Sequence, residues 1–305
     1  MYFNLVKCGF IFLAASVLVG GLMVNFCESR LPAAIVQAFR FGKFSYVGKK
    51  TFVSHLEVPK RWFKHFYVIA TLYSIFMLYL IVNTYVLSKP VCSVVLTLLD
   101  LVGSSYRSTK VNATTVCLAM ALFCIQVWKR FYETFVISVF SDTKINISHY
   151  IIGICHYLGS FTAIILEAPG FARLSHKYRY TLSVDDIGIT GIVGSIIFLW
   201  ACYNQYRSAV VLANLRKDEK GQIVCYEHKI PEGGLFKRLS SPHMFCEMLM
   251  YLALLIVLWG NTTWPFVFIW VLCNQCENAL LNHWWYQTNF KDYPTERKAF
   301  LPFIL

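Results

Sequence analysis

FYVIATLYSIFMLYLIVNTYVL, from Phe66 to Leu87, runs without a single charged side chain, and its length matches the roughly 20 residues that a helix needs to cross a hydrocarbon core about 30 Å thick. Six further stretches read in the same way: Cys8 to Phe26, Val111 to Trp128, Ile147 to Glu167, Ile187 to Asn204, Met244 to Trp259 and Trp264 to Leu281, the last three being short for a span. A run from Val91 to Val102 is too short to cross and is expected to be interfacial or re-entrant. The expectation is therefore an all-α, polytopic membrane protein with about seven transmembrane helices.

Composition supports that reading. Of 305 residues, 57% are hydrophobic and 14% charged, and mean hydropathy is +0.53, whereas about a quarter of a soluble chain is charged. Basic residues alternate between loops. Eight fall from Arg30 to Lys64, three are Lys129, Arg130 and Lys144, seven fall from Arg207 to Arg238 and three lie in the tail; seven of the 28 are left for the other side. By the positive-inside rule the amino terminus is expected in the lumen and the tail in the cytosol. The net charge of +12 then belongs to the cytosolic face, where anionic headgroups or a phosphorylated cofactor explain it without nucleic acid.

The first stretch lacks a convincing small-residue cleavage site and is read as a retained anchor. Most of the eleven cysteines lie inside the stretches, where thiols behave as small apolar side chains. Cys273 and Cys276 have CxxC spacing but no second pair, so no metal site is expected. Sequons stand at Asn112, Asn146 and Asn261 in positions that make glycosylation doubtful. One membrane domain, residues 1–305, accounts for the chain, and neither a repeat nor a Pro- or Ser-rich linker interrupts it.

Polar side chains inside spans are costly and tend to face a packed interior or a wet cavity. Asn274, Asn278 and Asn282 recur at four-residue spacing with Glu277 and His283 beside them, which forms either a polar seam between helices or a cofactor or substrate cavity. Glu247 and Gln126 could face the same space. His149 and His156 share a face and read as packing residues, as do Gly188, Gly191 and Gly194. Neither GxGxxG after a strand nor GxxxxGK[ST] occurs, so a nucleotide must be held by other means. The segment from Asn214 to His243 offers them: arginine forks, the Gly233-Gly234 pair, and Ser241-Pro242 where a helix begins.

NLRK (Asn214 to Lys217), HKIPEGGLFKRLSSPHMFCEM (His228 to Met248) and YQTNFKDYPTERKAFLPFIL (Tyr286 to Leu305) resemble the carboxy-terminal signature of the steroid 5α-reductase family. VPKRWFKHFY (Val58 to Tyr67), KRFYETFVISVFS (Lys129 to Ser141) and NQYRSAVVLANLRK (Asn204 to Lys217) extend the likeness over residues 56–305, and their character is closest to the polyprenol reductase branch. The resemblance implies a seven-helix endoplasmic reticulum membrane enzyme that uses NADPH to saturate a double bond of a polyisoprenoid lipid, on the route to dolichol and protein N-glycosylation. No obligatory protein partner is implied.

The resemblance places Arg216, Lys229, Ser241, His243, Glu247, Asn278, His283, Tyr286 and Arg297 in or beside cofactor motifs within residues 205–305, and marks Tyr286 together with Glu57 as catalytic candidates. Glu57 matches the glutamate that polarises the substrate carbonyl in the steroid branch. Departures are Leu56 for a glutamine, Val127 for a tyrosine, Lys229 for an arginine and His243 for an asparagine.

Hydride adds readily to a C=C bond only where the resulting charge is delocalised, as into a conjugated carbonyl, so the expected immediate substrate is the aldehyde, polyprenal. Glu57 is the expected electrophile, the alternative being an ion pair with Lys60 or Arg61. Two other readings stand beside this one: a sterol or enoyl-thioester reductase, and a non-catalytic lipid carrier or transporter.

Overall fold

The computed structural model describes all residues except 1–2, 41, 45, 47 and 173–179. Three of the basic residues assigned above to the luminal side, Arg173, Lys177 and Arg179, lie outside the described residues. Helices dominate: α1 (Leu5–Phe26), α2 (Ala33–Phe39), α3 (Phe63–Ile81), α4 (Ser93–Gly103), α5 (Ala113–Tyr132), α6 (Ile147–Ile165), α7 (Gly188–Asn214), α8 (Pro242–Val257) and α9 (Trp264–Asn289). Each of the seven apolar stretches became one of the longer helices, and the short run beginning at Val91 became α4.

Among the described residues, four helical segments are long and apolar enough to cross a membrane: Leu5–Phe26, Lys60–Val86, Ala113–Ile137 and Val184–Asn214. Large apolar side chains point outward along them, among them Phe12, Leu18, Leu72, Ile189 and Ile196. That inverted surface is what a lipid environment stabilises.

Two helices outrun their apolar stretches. α7 continues to Asn214 and α9 to Asn289, so the polar ends project beyond the apolar body and carry Asn282, His283 and Tyr286 on rigid helix. The departure from an all-α chain is a small antiparallel ribbon of β1 (Glu57–Pro59) and β2 (Lys144–Asn146), in the register Glu57 to Asn146 and Val58 to Ile145. It joins the chain entering α3 to the chain entering α6.

α7 and α8 pack along their lengths, α1 lies on α9, and α3 lies on α5 and α6. Gly194 lets α7 and α8 approach closely, since a Cβ there would sit 2.5 Å from Val257 Cγ2 and 2.8 Å from the Ala253 carbonyl, whereas Gly188, expected to pack likewise, has open space beside it and turns the chain at φ +58°. Close helix packing therefore accounts for Gly194. The core centres on Phe123, whose ring meets Phe161 at 4.6 Å and Trp264 at 5.9 Å, with Tyr251 stacked on Trp264.

The three sequon asparagines act at helix starts. Asn112 Oδ1 accepts from Thr115 N, Asn146 Oδ1 from Ser148 N, and Asn261 Oδ1 from Thr263 N and Trp264 N. Asn112 and Asn146 are the N-caps of α5 and α6, a position that asparagine favours. Asn261 is buried and also donates to the Ala163 carbonyl.

Candidate active site

α1, α2, α3, α6 and α9 enclose a cavity of about 480 Å³, inside the ~300–1,000 Å³ range of small-molecule sites. Leu13 and Val17 from α1, Phe63 and Phe66 from α3 and Ile152 from α6 give it an apolar wall. α9 contributes the polar side through Asn274, Glu277 and Asn278, so the first part of the asparagine stripe does line a cavity. Asn25 Nδ2 holds Glu277 Oε1 at 2.8 Å, and Asn278 Nδ2 donates to the Asn274 carbonyl at 2.8 Å. Asn282 leaves the stripe, donating to Ser241 Oγ and to the Ser240 carbonyl. It is a seam residue, one turn away from the part of the stripe that borders the cavity.

His149 and His156, read from the sequence as packing residues, also line the cavity. The Trp270 indole can only donate, so the His156 Nδ1 it reaches at 3.2 Å is the acceptor, and Nε2 carries the proton toward Tyr251 Oη at 2.6 Å. Beneath them Glu247 accepts from Gln126 Nε2 at 3.0 Å and from Gln205 Nε2; Glu247 faces the cavity of the asparagine stripe as expected, whereas Gln126 is not part of its wall.

A second region forms where the carboxy-terminal tail docks. Ser240 N donates to the Lys298 carbonyl and Lys298 N to the Arg238 carbonyl, both at 2.9 Å. Arg297 is buried, donates from Nη1 to the Pro231 carbonyl at 2.9 Å, and lies over the Tyr293 ring. Tyr293 stacks on Tyr286 at 5.3 Å, and Tyr286 Oη donates to the Lys229 carbonyl at 3.3 Å. Ser240 Oγ meets both His283 Nδ1, at 2.6 Å, and Tyr293 Oη. Ser241 is fully buried, and the His243 carbonyl accepts from Gln205 Nε2. The motifs YPTERK and HKIPEGG thus clamp each other. Gly233 and Gly234 turn the loop at φ +87° and +51°, a conformation that glycine adopts without strain, and open space lies beside both.

Lys43 faces this clamp. Its ammonium lies 4.2 Å from the Trp285 ring and 4.1 Å from that of Tyr286. Burial first, and then the charges of Lys60 and Arg216, push its pKa down to about 7. Among the described residues Lys43, Lys60 and Arg216 form no salt bridge with a carboxylate. Arg216 Nη1 donates to the Val139 carbonyl at 2.6 Å, so the three groups form a cationic cluster that no carboxylate neutralises, a setting that suits an anion.

Of the residues singled out in the sequence, Arg216 and Tyr286 meet at this cationic cluster, while Lys229, Ser241, His283 and Arg297 build the clamp beside it. Glu247 and Asn278 line the cavity. Glu57 stands apart: it sits on β1, where Gln37 Nε2 donates to its carboxylate at 3.2 Å, and it is not part of the cavity wall. Lys43, Tyr67 and Arg130 escaped the sequence reading as site residues. The signal for Lys43 was a lysine in a basic loop, indistinguishable there from a topology determinant.

A membrane-type helical bundle with a mainly apolar internal cavity and a separate cationic cluster has the layout of an integral membrane protein with an internal ligand site. Residues 170–305 match the family model described as 3-oxo-5-alpha-steroid 4-dehydrogenase. Among similar proteins, the polyprenal reductase of Drosophila melanogaster is 41% identical, over 96% of this chain and 91% of that protein. Polyprenal reductase of Caenorhabditis elegans is 36% identical over 83% and 81%, and that of Homo sapiens 31% over 81% and 78%. The chain belongs to the steroid 5α-reductase family, and its relatives there are proteins named polyprenal reductase.

Proposed function

We propose that this protein reduces the α-isoprene C=C bond of polyprenal with NADPH, giving the saturated aldehyde that leads to dolichol for N-glycosylation. The observation that carries the reading is that one helical bundle holds both a mainly apolar cavity and a cluster of cations that no carboxylate neutralises. The relatives' name agrees with the chemical argument for an aldehyde.

NADPH fits the residues present. Lys43, Lys60 and Arg216 supply positive charge without a carboxylate to neutralise it, and the Trp285 and Tyr286 rings offer flat surfaces beside it. These residues would hold the phosphates, with Lys229, Ser241, His243, His283 and Arg297 keeping the loop in shape and Glu247 and Asn278 facing the reacting end. When bound, NADPH supplies the hydride. Seven spans in the endoplasmic reticulum membrane, a luminal amino terminus and a cytosolic tail complete the proposal, and they set the cofactor loops on the NADPH-rich side.

Absorbance loss at the NADPH band tests it. The purified protein in detergent is expected to oxidise NADPH with polyprenal and not with polyprenol. Oxidation with a 3-oxo-steroid or an enoyl thioester in place of polyprenal would move the substrate to another branch, and silence with all of them would favour a lipid carrier. For Glu57, loss of turnover in Glu57→Gln at an unchanged KM for NADPH would support the role implied by the family.

A further inference from the structure

Tyr67 lies in the first turns of α3, 8% exposed, on the cavity wall. Arg130, near the end of α5, reaches it with two N–H groups: Nε at 3.1 Å and Nη2 at 2.9 Å from the phenol oxygen. A guanidinium has no acceptor, so both bonds are donated to Tyr67, and both lone pairs of its oxygen are taken. The Tyr67 O–H must therefore point away from Arg130, and among the described residues no acceptor receives it. The remaining arm of Arg130 is fixed: Nη1 donates to Glu133 at 2.6 Å, and Glu133 is fully buried with Lys129 3.6 Å from its other oxygen. Glu133 orients Arg130, and Arg130 orients and polarises Tyr67. The outcome is one O–H donor presented to a mainly apolar cavity and backed by a cation, the arrangement that stabilises an oxygen as it gains negative charge.

Resting on the proposed reduction of an α,β-unsaturated aldehyde, the geometry points to Tyr67, rather than Glu57, as the catalytic residue that binds the substrate carbonyl oxygen, with Arg130 as its positioning residue. Carbon β of the enal accepts the hydride. The C=C pair moves to join carbons α and C1, and the carbonyl pair moves onto oxygen. Tyr67 donates its proton to that oxygen and takes it back as carbon α receives a proton from water. The substrate gains one hydride and one proton, and the cofactor is oxidised by two electrons. Arg130 stabilises the transient phenolate through the two N–H bonds already in place.

The test uses full-length protein in detergent with NADPH and polyprenal. Tyr67→Phe is expected to lower kcat by about 10²-fold or more, the scale of losing one oxyanion donor, with KM for NADPH within a factor of about three and a smaller loss in Glu57→Gln. Tyr67→Phe keeping kcat within about threefold, or Glu57→Gln losing as much, overturns the assignment. Silence of the wild-type protein with polyprenal overturns the substrate reading itself, and the assignment with it; wild-type turnover separates the two failures. Should Tyr67→Phe not fold, fluorotyrosine at position 67 decides. Ring fluorination should change kcat at an unchanged KM for NADPH if this phenol is the donor, and an unchanged kcat overturns the proposal.

Discussion

The Asn282 amide donates to Ser241 Oγ at 2.7 Å and to the Ser240 carbonyl at 3.2 Å, fastening the last turns of α9 to the residues that open α8. All three residues are buried, so these bonds face no competition from water. Through Ser240 the same fastening extends to His283 and Tyr293, and so to the docked tail.

Asn282→Leu leaves the Ser241 hydroxyl and the Ser240 carbonyl without their donor. A stability loss of roughly 1–3 kcal/mol is expected, the cost of orphaning a buried polar group. It should be read as a lower thermal midpoint, which excess NADPH should partly restore if it binds the clamped loop as proposed. A midpoint equal to wild type would show that the fastening is dispensable.

If Lys43 holds the cofactor as proposed, binding should depend on pH. With its pKa near 7, the free protein at pH 8 holds this ammonium mostly neutral. A phosphate placed beside it favours the charged form, so NADPH binding at pH 8 should take up a proton and weaken as pH rises through 7 to 9. Calorimetry in buffers of different ionisation enthalpy measures the uptake, and Lys43→Met should abolish most of it. The stability of the free protein runs the opposite way. The folded pKa lies below the unfolded value of 10.5, so the unfolded chain binds more protons between about pH 7 and 10.5, and this group's penalty fades as pH rises across that window.

Arg130→Lys keeps the positive charge but not the fork. A single ammonium cannot occupy both lone pairs of Tyr67 and also reach Glu133, so kcat should fall by about tenfold or more at nearly constant KM for NADPH. If Arg130 serves packing alone, the variant will lose thermal stability while the active fraction keeps its kcat.

Val17 lines the cavity from α1. Val17→Trp should fill much of the apolar half, raise KM for polyprenal by tenfold or more and leave NADPH binding intact. An unchanged lipid KM would remove the cavity from the substrate's path.

Gly194→Ala sets a methyl group 2.8 Å from the Ala253 carbonyl and 2.5 Å from Val257, so α7 and α8 must separate. About 1–3 kcal/mol of stability should be lost, visible as a lower melting temperature in detergent.

Much of this molecule is legible along the chain because its signals are local. An uncharged run such as Phe66 to Leu87 can only be a helix in lipid, since every backbone N–H and C=O must find its partner within the segment. The asparagine stripe shows itself through four-residue spacing, and the carboxy-terminal motifs through their order. Glu57 shows the limit of this kind of reading: its neighbours match a family pattern, yet the β1–β2 ribbon holds it against Gln37 and off the cavity wall.

From the sequence alone came the apolar stretches, the sidedness of charge and the cofactor-type loops, properties of composition and spacing within a few turns of chain. Which polar groups meet across the bundle was decided by the tertiary structure. Tyr67 is one of eighteen tyrosines, unremarked inside an apolar run, until α3 packs on α5 and sets its oxygen against Arg130, 63 positions away. Lys43 and Arg216, far apart in the chain, become one cationic cluster only when folding brings them together without a carboxylate. Hydrophobic patterning acts on each helix separately and is nearly blind to partner choice, whereas a hydrogen bond has a fixed length and direction and exists only once packing has brought donor to acceptor.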